Sequence, residues 1–261
     1  MTPILVVGAG RMGGALIAGW RRADAFAAAD ILVLDPTPGP DAIAAGVNLH
    51  PSGAEIAAAR SVVLAVKPQI WREAAAGIAA RLAADAVVVS IAAGVASADV
   101  AAALGGRRTA RVMPTTAAAI GRGTTSVYAA DPEARAVAHA LFAPVGTTVD
   151  LADEDQMHAA TAVSGSAPAY LYAFVEALEA AGRALGLAPD AARSLARATT
   201  AGAAALMAES GAQPADLRRQ VTSPGGTTEA ALKVLMGEAG LEPLLREAAR
   251  AAERRSRELG S

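Results

Sequence analysis

Residues 163–187 read VSGSAPAYLYAFVEALEAAGRALGL, and the organisation of the chain changes around them. Ser164, Gly165 and Ser166 are residues that cap helices, and Pro168 falls where a first-turn proline is tolerated. Good helix formers continue to Gly186, so a long helix is predicted. From Ala169 to Ala181 only Glu176 and Glu179 interrupt the apolar residues, which leaves hydrophobic surface almost all round. Such a helix needs several neighbours to cover it. It is not a membrane span, because two carboxylates and Arg183 fall inside any window of about 20 residues. Strand and helix patterns alternate before this stretch, and only helical patterns follow it. It is therefore the core of an all-α domain that succeeds an α/β one.

The α/β half opens with a short apolar run at 4–7, after which Gly8-Ala-Gly-Arg-Met-Gly13 leads into a helical pattern ending at Arg22. A second apolar run at 31–34 ends at Asp35. Strand, G-x-G-x-x-G, helix, strand and acid, in that order, form the dinucleotide-binding arrangement of a Rossmann-like domain. Gly8, Gly10 and Gly13 let the backbone approach a pyrophosphate, and the helix beginning at Arg11 and Met12 supplies amides and the positive end of its dipole. Asp35 reads two ways. It accepts hydrogen bonds from ribose hydroxyls and repels a 2′-phosphate, or it merely starts the Asp-Pro turn that follows. No lysine or arginine lies between Ala23 and Ala59 to offset its charge.

The same alternation continues. Residues 61–66 form a buried strand ending at Lys67-Pro68, a helix is predicted over 70–82, and 86–91 form a strand ending at Ala92-Ala93-Gly94. Residues 109–113 give one more, ending at Pro114. Ligands of open parallel sheets sit beyond the carboxyl ends of the strands. Ala65, Val66, Lys67, Pro68, Ala92 and Ala93 thus belong to the expected cofactor crevice, although Lys67 also reads as a solvated loop lysine. Residues 124–129 and 147–151 are expected to be edge strands flanking a helix over 132–142. The first domain is expected to be 1–152, followed by an acidic linker at 152–156 and a helical domain over 153–261.

Within that second half, a helix is predicted over 189–209 and a short one ending at Val221. Then comes Thr222-Ser-Pro-Gly-Gly-Thr-Thr228, with a helix expected from Glu229 to Met236. Amides exposed at a helix N-terminus make a nest for a carboxylate or phosphate. The plainer reading is a helix-to-helix turn capped by Thr227. A last amphipathic helix over 241–259 reads as a packing element.

Composition narrows the chemistry. A chain of 261 residues suits two ordinary domains, and a formal charge of −2 favours neither nucleic acid nor an acidic membrane surface. Zero cysteines exclude disulfides, thiolate metal sites and a cysteine nucleophile. His50, His139 and His158 show no ligand spacing, so no metal site is expected. The N-terminus enters strand-like sequence directly, and the expectation is a soluble cytoplasmic protein. Near the 222–228 stretch there is no histidine, and the nearest lysine is Lys233, past the first turn of the following helix. Carbonyl reduction wants a general acid beside the oxygen. A protonated imine does not, because its nitrogen already carries the charge that makes carbon electrophilic. A hydroxyl such as Thr228 could orient that nitrogen while glycine amides hold a carboxylate.

Gly8-Ala-Gly-Arg-Met-Gly13, Ala65-Val-Lys-Pro68, Ser90-Ile-Ala-Ala-Gly94, Ser164-Gly-Ser-Ala-Pro-Ala-Tyr170 and Val221-Thr-Ser-Pro-Gly-Gly-Thr-Thr228 together resemble pyrroline-5-carboxylate reductase, in order through nearly the whole chain. The resemblance implies reduction of 1-pyrroline-5-carboxylate to L-proline with NADH or NADPH, the last step of proline biosynthesis. It also implies a homodimer with interlocked helical domains, often assembled into a ring of dimers such as a homodecamer, with substrate sites between subunits. It assigns Thr228 to the imine nitrogen and Ser223, Gly225, Gly226 and Thr227 to the substrate carboxylate. Residues 65–68 would run along the nicotinamide, and Glu154 matches an acid that the family keeps before its Ser-Gly-Ser. Three positions depart from the family pattern: Thr115 stands where asparagine is usual, Arg11 where asparagine or glutamine is common, and Asp35 where a small or neutral residue is frequent. Asp35 leads to the expectation that NADH is preferred. A β-hydroxyacid dehydrogenase of similar build would need a lysine on the central helix, and 164–186 contains none. A silent nucleotide-binding scaffold would show a broken nest, whereas Ser223 to Thr228 is intact.

Overall fold

The computed structural model describes residues 1–259. Its first half is a seven-stranded sheet in the order β2-β1-β3-β4-β5-β6-β7. The strands are β1 (Ile4–Val7), β2 (Ile31–Leu34), β3 (Ser61–Leu64), β4 (Val87–Ser90), β5 (Thr109–Met113), β6 (Gly123–Tyr128) and β7 (Gly146–Asp150). All neighbours run parallel except β5 and β6, which are antiparallel. Short, continuously apolar runs such as Ile-Leu-Val-Val suit strands covered on both faces, and β1, β3 and β4 are buried at every position.

Helices α1 (Arg11–Arg22), α2 (Pro40–Ala44), α3 (Gly53–Ala58), α4 (Trp71–Ala79), α5 (Ser97–Ala103) and α6 (Pro132–Phe142) supply the covering layers. Alternation along β1 sorts the core in two. Ile4 and Val6 pack with Leu16, Ile17, Trp20 and Phe142. Leu5 and Val7 pack with Leu64, Trp71, Ile78 and Leu104 on the other face. Trp20 is fully buried, meets Phe26 edge-on at 5.5 Å, and its Nε1–H donates to the Leu141 carbonyl at 2.6 Å. Burying a side chain of this class stabilises by about 1.5–3 kcal/mol, so the two clusters dominate the stability of the sheet region.

β6 is not an edge strand as expected, because it pairs with β5 on one side and β7 on the other. Its threonines and serine read as polar, yet Thr125 and Ser126 are buried, with their backbone groups inside the ladder. β7 does lie at an edge.

The chain divides into two compact units, one comprising Met1–Ser166 with the stretch from Arg250 on, the other Ala167–Ala249. This division falls later than the expected boundary at Ala152. The acidic residues read as a linker are bonded into the first unit, where Glu154 accepts hydrogen bonds from Ser97 and Asp155 forms a fork with Arg257. The Ser164-Gly165-Ser166 triplet does not cap a helix either. A helical turn, α7 (Gln156–Ala160), continues through a π-helical turn over Thr161–Gly165, with the Ser166 N–H donating to the Thr161 carbonyl at 2.8 Å. The Ser164 hydroxyl, instead of capping, donates back to the Ala160 carbonyl at 2.8 Å.

The second unit contains α8 (Ala167–Ala184), α9 (Pro189–Ser210), α10 (Pro214–Gln220), α11 (Thr227–Leu235) and the start of α12 (Leu241–Glu258). α8 and α9 approach closely at small residues: a Cβ on Gly182 would lie 3.1 Å from the Ala192 Cβ. Glu179, nearly buried on α8, accepts from the Arg197 Nε at 2.7 Å. Leu171, Tyr172, Phe174, Leu178, Leu195 and Leu206 are exposed in the single chain. No helix among the described residues is long and apolar enough to cross a membrane.

Candidate functional site

The glycine loop between β1 and α1 is locked by its surroundings. Gly8 has φ +94°, its N–H donates to the Leu34 carbonyl at 3.0 Å, and a Cβ there would lie 2.7 Å from the Ala65 carbonyl oxygen. A Cβ on Gly13 would lie 2.1 Å from the Gly8 carbonyl oxygen. Gly10 is different: it is exposed, and a Cβ there would meet nothing within 4 Å. It is also the N-cap of α1, where no side chain caps the helix and no acid occupies the first turn. The amides of Arg11, Met12 and Gly13 therefore have no intrahelical acceptor and face the positive end of the dipole. Two glycines required by packing, an open third and an uncapped helix end fit a bound pyrophosphate.

Asp35 starts the turn that is one of its two readings, and its second contact is a brace on the glycine loop. Its Oδ1 accepts from the Thr37 N–H at 2.7 Å, which starts the turn, and its Oδ2 accepts from the Ala9 N–H at 2.6 Å. The Gly39 N–H adds a bond to the Ala9 carbonyl at 2.9 Å. The carboxylate is thus pinned at the carboxyl end of β2. Arg11 is exposed and makes no ion pair with it among the described residues.

The remaining cofactor-side residues lie at the ends of neighbouring strands. The Ala65 N–H donates to the Val7 carbonyl at 2.7 Å, and Val66 lies against Gly8, where a Cβ would be 2.9 Å from its Cγ1. Lys67 is exposed and Pro68 half-buried. Ala92 is buried with its N–H on the Ser90 Oγ at 3.3 Å, while Ala93 is half-buried. Thr115 is turned inward, with its Oγ1 accepting from the Thr124 N–H at 3.0 Å.

A cluster behind these loops was only partly visible in the sequence. Glu154 Oε1 accepts from the Ser97 N–H at 2.6 Å and from Arg111 Nη1 at 3.3 Å, and Oε2 accepts from the Ser97 hydroxyl at 2.8 Å. It thereby joins the first residue of α5 to the middle of β5. Arg111 is buried in the middle of β5, and among the described residues its Nε and Nη2 find no partner. Burial pulls its pKa down, and Glu154 opposes that shift. His158 donates to or accepts from the Ser256 Oγ at 3.0 Å, and burial followed by Arg111 and Arg257 lowers its pKa. The hydrogen bond from Arg257 holds Asp155 below the usual carboxylate range. These groups border a cavity of about 440 Å³ that also includes Gly94 and Ala96. The signal available in the sequence was an arginine in the middle of a predicted strand, together with Glu154.

The 223–228 loop lies wholly within the second unit. The Gly226 N–H donates to the Ser223 carbonyl at 3.0 Å, closing a tight turn in which Gly225 has φ +70°. Such a left-handed conformation favours glycine. Gly226 is the N-cap of α11 and provides no side-chain cap, so the helix begins at Thr227, two residues before the expected start, and Thr227 is not its cap. A Cβ on Gly226 would lie 2.5 Å from the Ser223 Oγ, so that hydroxyl sits over the glycine. The amides of Thr227 and Thr228 are first-turn amides without intrahelical acceptors. Among the described residues the Thr228 hydroxyl makes no hydrogen bond. The loop brings together Ser223, Gly225, Gly226, Thr227 and Thr228, but α11 has no buried residue. A cavity of about 760 Å³ in the same unit is lined by Arg218, Leu235, Met236 and Leu241 and contains none of the loop residues.

Comparison with known proteins gives consistent results. Residues 154–259 match the family described as pyrroline-5-carboxylate reductase dimerisation, and residues 3–94 match the one described as NADP oxidoreductase coenzyme F420-dependent. The chain is 41% identical to a pyrroline-5-carboxylate reductase from Pseudomonas aeruginosa, covering 98% of this chain and 96% of that one. Its fold superposes on a pyrroline-5-carboxylate reductase from Coxiella burnetii with a TM-score of 0.89 at 32% identity, covering 100% and 99% of the two chains. A pyrroline carboxylate reductase from Plasmodium falciparum, solved with NADP bound, matches with a TM-score of 0.85 at 25% identity over 99% and 98%.

Proposed function

The chain belongs to the pyrroline-5-carboxylate reductase family, and we propose that it reduces the C=N bond of 1-pyrroline-5-carboxylate to give L-proline, the last step of proline biosynthesis. It is an NAD(P)H-dependent oxidoreductase. The observation that carries the reading is the 223–228 loop, which presents uncapped helix amides and the unpartnered Thr228 hydroxyl on one short segment. The amides of Gly225, Thr227 and Thr228, with the Ser223 hydroxyl, hold the substrate carboxylate. Thr228 orients the ring nitrogen, and because the imine is protonated no further acid is needed to make its carbon electrophilic.

On the cofactor side, Gly10 with the first-turn amides of Arg11, Met12 and Gly13 would hold the pyrophosphate, and Ala65 to Pro68 with Ala92 and Ala93 would line the nicotinamide. The bound dinucleotide supplies the hydride. The pinned charge of Asp35 accepts ribose hydroxyls and disfavours a 2′-phosphate, so NADH is the preferred donor. Thr115 accepts from the Thr124 N–H, which fixes its side chain and leaves its O–H free to donate.

The exposed apolar residues of α8 and α9 fit a homodimer, and a ring of dimers such as a homodecamer is the further assembly; a cytoplasmic location belongs to the same proposal. The test is oxidation of NADH and NADPH with racemic pyrroline-5-carboxylate, run beside a panel of hydroxyacids and combined with sedimentation at micromolar concentration. Turnover of the imine alone by an oligomer is expected. Turnover of hydroxyacids only, or a fully active monomer, would defeat the corresponding part of the reading.

A further inference from the structure

The substrate loop already holds an anion of its own. Glu229 is the third residue of α11, and its Oε2 accepts from the Gly225 N–H at 2.8 Å. A glutamate at this helix position commonly reaches back to the N-cap amide. Here that amide belongs to Gly226 and is taken by the Ser223 carbonyl, so the carboxylate goes one residue further, into the turn. It does so although Lys233 stands one helical turn on, at a spacing that favours a Glu–Lys pair. Among the described residues Glu229 makes no ion pair. The carboxylate thus already lies on an amide of the turn that leads into the first-turn donors of α11, which have no intrahelical acceptors.

We propose that Glu229 is an internal competitor for the substrate carboxylate, occupying the Gly225 amide in the free enzyme and yielding it when the imine docks. The proposal rests on the reductase reading and adds a residue that sets affinity at the same loop. Two carboxylates cannot share the few amides of this turn without repulsion, so docking includes displacing the side chain. Glu229 therefore raises KM for the imine and has no effect on the affinity for the dinucleotide.

Replacement separates this role from that of a loop brace. Glu229→Ala should lower KM for pyrroline-5-carboxylate roughly 3- to 10-fold, the scale of one amide hydrogen bond, with Glu229→Gln intermediate because it retains a neutral acceptor. KM for NADH should not move. Calorimetric titration with L-proline, which needs no turnover, should show tighter binding in the same order. An unchanged or raised KM in Glu229→Ala, or weaker binding of L-proline, would overturn the proposal and identify the side chain as a brace. If the unaltered protein fails to turn over the imine, the reductase reading falls instead, and tighter binding of L-proline by Glu229→Ala would still support the competition.

Discussion

The two glycine-rich turns of this protein both deliver the chain into a helix N-terminus, but they are held by different means. The 8–13 loop is fastened by the sheet beneath it: by Leu34, Ala65 and Val66 against Gly8, and by Asp35 and Gly39 on either side of Ala9. The 223–228 loop is held by its own turn and by Glu229, on a helix with no buried residue. A nucleotide site with walls inside one domain can be finished within that domain. The 223–228 loop has amides and a hydroxyl but starts a helix with no buried residue, and the apolar residues exposed on α8 and α9 are surface that an oligomer can cover.

That contrast is broken most directly at the glycines. Gly13→Ala places a Cβ 2.1 Å from the Gly8 carbonyl oxygen, which cannot move without disturbing the sheet. A loss of about 3 kcal/mol in stability is expected, with cofactor binding lost as well. Gly226→Val meets only the Ser223 Oγ and carbonyl on an exposed turn. It should leave the melting temperature nearly unchanged while raising KM for the imine by roughly 10-fold or more, the scale of a lost charged hydrogen bond. Chemical denaturation and steady-state kinetics on both variants measure the contrast, and equal destabilisation by the two would erase it.

A smaller effect is expected one residue further into the chemistry. Thr228→Ala should lower kcat/KM by about 10- to 100-fold, or about 1.5–3 kcal/mol, because the iminium remains electrophilic without its partner. A loss beyond about 10⁴-fold is more than one hydrogen bond supplies.

Asp35 tests the nucleotide half. The native enzyme should favour NADH over NADPH by roughly 10-fold in kcat/KM, since like charges about 4 Å apart repel by about 4 kcal/mol at an effective dielectric near 20 before screening. Asp35→Ser should narrow the gap chiefly by improving NADPH. It also removes the acceptor of the Ala9 N–H, so some loss with both cofactors is expected, and Asp35→Asn should retain more of that bond. A native preference for NADPH would assign Asp35 to the loop alone.

The smallest prediction concerns pH. His158 has its pKa lowered from 6.5 in the folded chain, chiefly by burial. Between the folded value and 6.5 the unfolded state binds the extra proton, so stability is fully present above about 6.5 and declines as pH falls below it. Asp155, also lowered, from 3.8, adds its loss in a separate and more acidic window. Melting curves for the native protein and His158→Asn should converge in slope below pH 6.5 only if another group is responsible.

Much of the nucleotide half was legible because local patterns suffice there. Four-residue apolar runs, the glycine spacing around Gly10 and the acid at Asp35 each state their structural role within a few residues. β6 was misread as an edge because burial of Thr125 and Ser126 depends on where neighbouring strands fall. The Ser164-Gly165-Ser166 triplet resembled a cap because nothing local reveals a π-helical turn feeding into it.

By itself the sequence determined the strand and helix order, the glycine-rich turns at Gly8 to Gly13 and Ser223 to Thr228 and, through motifs in register along the whole chain, the family. Those features depend on residues close together in the chain, whose conformational preferences act locally. Tertiary structure alone decided that the Asp35 carboxylate also takes the Ala9 N–H, that Glu154 ties Ser97 to Arg111, and that Asp155 meets Arg257. Each of those bonds joins groups brought close only after the core has packed, and packing at a distance leaves no local trace in the residues that make it.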